Sequence, residues 1–92
     1  MGLDRAKQSL AALADDVETA LVTARVAARE YARGRRERGS KMATQAMRDF
    51  QDIRRRLEDA EARGGNIFAL RLRFRLLRQV IETLTEEDRR AA

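Results

Sequence analysis

The apolar residues of this chain recur at alternating steps of three and four along almost its whole length, and no proline interrupts them. That spacing is the stripe of an amphipathic helix, because at 3.6 residues per turn only such positions return to one face. From Leu3 it runs through Ala6, Leu10, Leu13, Val17, Ala20 or Leu21, Ala24 and Ala28 to Tyr31. A helix over about 4–33, close to a heptad pattern, is therefore expected. Asp4 is placed to cap its first turn. Alanine at many seam positions allows close helix approach and contributes little buried area per residue.

Two glycines, Gly34 and Gly39, bracket a charged stretch, and Ser40 follows as a candidate cap. The expectation is a basic loop over 34–40 joining two antiparallel helices. Ala43, Ala46, Phe50, Ile53, Leu57 and Ala60 then mark a second helix over about 41–63, its stripe widened by Met42 and Met47. Gly64-Gly65-Asn66 ends it, since paired glycines lose too much backbone entropy to sit inside a helix.

The segment beyond reads two ways. Leu70, Leu72, Phe74 and Leu76 alternate with Arg71, Arg73 and Arg75, the period of a half-buried strand. Few β-branched residues occur there, no other segment offers a partner strand, and Leu77, Val80, Ile81 and Leu84 continue at helical spacing. The helical reading, over about 67–84, is preferred. It carries one apolar face of Ile67, Leu70, Phe74, Leu77, Ile81 and Leu84 and a second of Phe68, Leu72, Leu76 and Val80. A helix apolar on two sides is too hydrophobic to rest on a single hairpin. Thr85-Glu86-Glu87-Asp88 resembles a capping box before a frayed tail over 85–92.

The fold class expected is thus all-α: a long antiparallel helical hairpin plus a third helix, in one domain of 92 residues, assembling into an oligomeric helical bundle. A chain this short buries a small fraction of its surface alone, which favours partners. The expected partner is another copy, as a dimer or tetramer, or a separate helical protein. The residues expected at that interface are Phe68, Leu72, Leu76, Val80, Ile81 and Leu84. An obligate heteromeric subunit is a third reading.

Charge is unevenly spread. Residues 1–33 and 42–66 are each neutral, whereas 34–41 and 67–84 each carry +3 and the last eight residues −1, within a total of +5. Arg33, Arg35, Arg36, Arg38 and Lys41 are candidate phosphate contacts, because guanidinium groups present a fork of donors to phosphate. A small nucleic-acid-binding protein of a nucleoid or phage type is the alternative function; a solvated loop is the plainer reading of the same residues. Arg54, Arg55 and Arg56 precede Glu58, Asp59 and Glu61 and are expected to pair with them along the helix.

Chemistry is thinly represented. With no cysteine or histidine, zinc sites, disulfides and histidine-based catalysis are outside its means. Asp15, Asp16 and Glu18 could meet Asp49 or Asp52 across the hairpin around a hard cation, yet no Glu-x-x-His pattern supports a bundle metal centre. No glycine-rich phosphate loop is present. A non-enzymatic helical adaptor or scaffold without cofactor is the expected function. No apolar run approaches the ~20 residues of a membrane span, and a cytoplasmic location is expected.

Overall fold

The computed structural model describes the backbone of residues 2–91 and the side chains of residues 9–90. Three helices account for nearly all of it: α1 (Gly2–Ala32), α2 (Arg36–Ala62) and α3 (Phe68–Ala91). The segment 68–76 is helical, and all three helices pack on one another in a rod of 50 × 17 × 16 Å. Side-chain pairs give the directions. Arg56 of α2 reaches Asp16 of α1, while the Tyr31 ring lies against Gly39, so α1 and α2 are antiparallel. Arg73 meets Glu18 and Asp88 meets Tyr31, so α3 runs parallel to α1.

Both turns close in the same way. The Arg35 N–H donates to the Glu30 carbonyl and the Gly34 N–H to that of Tyr31, with Gly34 at φ +78°. At the second turn Gly65 donates to Ala60 and Gly64 to Glu61, with Gly64 at φ +83°. These are glycine-terminated helix ends, in which a left-handed residue lets its own amide and the next one satisfy two of the last carbonyls. Asn66 stands just before the next helix, its side-chain oxygen accepting from the Phe68 N–H at 3.3 Å.

The core is aliphatic. Leu13, Val17, Ala20, Leu21, Ala24 and Ala27 of α1 meet Ala43, Ala46, Phe50, Ile53 and Leu57 of α2, and Ile67, Leu70, Phe74, Leu77, Ile81 and Leu84 seal the third side. The alanines are fully buried among them, and Phe50 stacks on Phe74 with ring centroids 4.9 Å apart. Ala27 is fully buried where the three-four reading had picked Ala28, which is only partly covered. The cap expected of Asp4, and the seam positions Leu3 and Ala6, lie outside the described side chains.

Two expected boundaries differ. The connection between α1 and α2 is only Arg33–Arg35; α2 begins at Arg36, and residues 36–40 form its first turns. Gly39 is a buried helical residue there, and a Cβ on it would meet the Tyr31 ring carbons at 3.1 Å. Its role is close packing, not a break. Ser40 accordingly caps nothing: its carbonyl accepts from the Thr44 hydroxyl inside the helix. At the other end, α3 continues to Ala91 through the expected frayed tail. Thr85 bonds back to the Ile81 carbonyl in mid-helix instead of starting a new turn.

Candidate interaction surface

Because α3 turns its Leu70–Phe74–Leu77 face into the hairpin, the opposite face is left outside. Phe68 is 73% exposed, Leu72 49% and Leu76 37%, at steps of four along one ridge. Val80, one turn further, is half-buried against the core. The pairs Glu18–Arg73 and Tyr31–Asp88 set α1 beside α3 with an offset of 55–57 residues. Val22 of α1, 60% exposed, thus stands level with the stretch just after Leu76. Of the six residues expected at an interface, Phe68, Leu72, Leu76 and Val80 share this outer ridge. Ile81 and Leu84 do not: both are buried in the chain's own core, since α3 spends its inner face on the hairpin.

Ion pairs edge the ridge. On the side toward α1, Arg73 grips the Glu18 carboxylate with two hydrogen bonds, of 2.6 and 2.8 Å. That contact holds the Glu18 carboxyl below its ordinary value of 4.5. A carboxyl depressed by folding contributes stability that is complete above its unfolded value and disappears as pH falls through the lowered folded one. Wild type is therefore expected to lose more Tm than Glu18→Gln on acidification from about pH 6 to about pH 3, by no more than a few degrees for so exposed a pair. Parallel melting curves of the two proteins check this.

On the side toward α2, Arg71 pairs with Glu61. Arg54, Arg71, Arg75 and Arg78 line a groove with Glu58, Glu61, Leu57 and Phe74. Its volume is about 370 Å³, and the Arg78 guanidinium sits 5.4 Å from the centre of the Phe74 ring.

Of the acids that could meet across the hairpin, Asp16 and Asp52 come together around an arginine, whereas Glu18 turns to Arg73 and Asp49 accepts from Gln45. Arg56 donates to Asp16 at 2.6 Å and to Asp52 at 3.3 Å, and the two carboxylates keep its guanidinium firmly charged. Its partners are thus backward along α2 and across to α1, where the sequence pattern had pointed forward to Glu58, Asp59 and Glu61. Arg55 likewise pairs back to Asp52.

The basic residues gather at one end of the rod. Arg33, Arg35, Arg36, Arg38 and Lys41 are all exposed, but the helical start of α2 divides them. At about 100° per residue Arg38 and Lys41 share a face, and Arg36 points away from both. Arg35 is drawn to the buried Glu30 carboxylate at 3.5 Å, an ion-pair distance without hydrogen-bond geometry. The acidic end of α3 reaches the same place: the Tyr31 hydroxyl donates to Asp88 at 2.8 Å. Burial first, and then this bond, push the Tyr31 phenol above its ordinary value of 10.0.

No protein-family model matches the chain, and neither a curated protein nor a solved structure matches it. Among the described residues no helix is long and apolar enough to cross a membrane.

Proposed function

We propose that this protein is a non-enzymatic helical scaffold that acts by helix–helix association through the outer ridge of α3, with further copies of itself as the first partners. One observation carries the reading. Phe68, Leu72 and Leu76 stand exposed in line on a helix whose other apolar face is already buried. Scattered apolar side chains on a surface need no explanation, but an aligned row of three beside Val80 and Val22 is the beginning of a helix-packing seam. Turned toward a second helix, each leucine removes apolar surface from water, and full burial of one such side chain stabilises by about 1.5–3 kcal/mol. The test mixes N-terminally labelled donor and acceptor populations. Energy transfer should rise with protein concentration for wild type and stay at background for Leu72→Glu or Leu76→Glu.

A second reading, contact with nucleic-acid phosphates, draws support from the exposure of Arg33, Arg35, Arg36, Arg38 and Lys41 at one end. Against it stand the diversion of Arg35 to Glu30 and the arrival of Asp88 at the same end. Reversing Arg35 would also strand the buried Glu30, so Arg36→Glu/Arg38→Glu/Lys41→Glu is the informative variant. On this reading wild type binds duplex DNA with steep salt dependence, and the variant flattens the slope of log K against log salt by about 3. Absence of binding at low salt removes it.

A further inference from the structure

We infer that the outer ridge of α3 pairs with the same ridge of a second copy in antiparallel orientation, steered by a charge pattern that complements itself only when reversed. The inference rests on the association reading above and adds the direction of the pairing and the charges that set it.

The charges of α3 are segregated along its length. Residues 68–80 contain Arg71, Arg73, Arg75 and Arg78 and no acid; Glu82, Glu86, Glu87 and Asp88 follow, before Arg89 and Arg90. They are also segregated around its circumference. With Leu72 taken as the ridge line, Arg75 lies about 60° to one side, Glu82 about 80° and Glu86 about 40° to that same side, by the 100° advance per residue. This is the flank toward α2, since Arg75 lines the α2–α3 groove and Arg71 bonds Glu61. Arg73 lies on the other flank, held by Glu18.

In an antiparallel pair of helices related by a two-fold axis, each flank faces the equivalent flank of the partner, read in the opposite direction. An axis crossing α3 at the level of residue 78 then sets Leu76 beside Val80 of the second copy and Leu72 beside Thr83 of the second copy. Arg75 comes beside Glu82 of the second copy, with Glu86 one turn away, and symmetry makes each contact twice. Arg78 comes level with its own counterpart but lies about 120° from the ridge line, turned back over Phe74; other arrangements meet like charge nearer the seam. A parallel pairing brings Arg75 level with the second copy's Arg73, and an antiparallel one centred on residue 73 sets Arg71 against the second copy's Arg75. An anionic lipid surface is disfavoured by the same pattern, because Glu82, Glu86 and Glu87 share the side of α3 that would have to face it. One seam of a few helical turns is at the small end of stable interfaces, so the pair should exchange with concentration.

The test exchanges charges at Arg75 and Glu82, both exposed and outside the core. Arg75→Glu alone should raise the dissociation constant of the pair by at least about tenfold, and Glu82→Arg alone by a similar factor, since each juxtaposes like charges twice per dimer. The double variant Arg75→Glu/Glu82→Arg should associate within about threefold of wild type, as should an equimolar mixture of the two single variants. If association depends on Leu76 but neither single reversal weakens it, or the mixture fails to restore it, the antiparallel pairing is overturned while the association reading stands. Wild type that stays monomeric at every concentration overturns both, including the case in which it instead sediments with phosphatidylserine vesicles.

Discussion

Leu77→Ala should cost the fold about 2–5 kcal/mol and lower its Tm by roughly 10–30 °C, followed by far-UV circular dichroism. Leu77 is fully buried where α3 closes over the hairpin, in one cluster with Val17, Leu21, Ile53 and Leu84. Removing its terminal carbons forfeits their transfer free energy and leaves a cavity that three rigid helices can only partly close. A domain of this size has about 5–14 kcal/mol in total, so the variant loses a large share of it. Leu76→Ala is the matched control. One residue earlier in the same helix, it removes the same atoms from a side chain 37% exposed and should cost about 1 kcal/mol or less. Nearly equal losses at the two positions would mean that α3 is rotated about its axis from the arrangement described.

That contrast between neighbours is also where the sequence was most legible. The alternation from Leu70 to Leu76 is two helical faces read together: Leu70 and Phe74 point inward, Leu72 and Leu76 outward. The inner face, from Ile67 to Leu84, could be written down from spacing alone, and so could the α2 stripe from Ala43 to Leu57. Ile81 and Leu84 could not be apportioned, because spacing shows which residues share a face and not whether the chain's own hairpin is long enough to cover them all.

The boundaries were hidden for a different reason. Gly39 carries the local signature of a break, but its role is set by Tyr31, eight residues earlier in sequence and packed against it only after the chain reverses. The tail is similar: Asp88 is tied to Tyr31 across 57 residues, which no local pattern reveals. Arg56 finds Asp16 forty residues away as well as its own-helix partner Asp52, for the same reason. Ala27 replaced Ala28 in the core because a stripe of period 3.6 drifts against integer steps over thirty residues.

The ridge itself sets the second large effect. Of the three exposed ridge residues Leu76 lies nearest the proposed axis, so in a symmetric pair Leu76→Glu puts two carboxylates into one seam. Each must be desolvated beside apolar side chains without a matching donor. The dissociation constant is expected to rise at least about 100-fold, equivalent to about 3 kcal/mol. The monomer should lose about 1 kcal/mol or less, because position 76 is partly exposed and glutamate is a good helix former.

The most direct measurement is sedimentation equilibrium of wild type and Leu76→Glu over a wide concentration range, with circular dichroism on the same samples. The wild-type mass is expected to rise from the 10.5 kDa of one chain toward twice that value, with the Leu76→Glu variant equally helical but fixed at the mass of one chain. Wild type that stays at one chain's mass throughout, or a Leu76→Glu protein that associates as wild type does, would contradict association through the ridge.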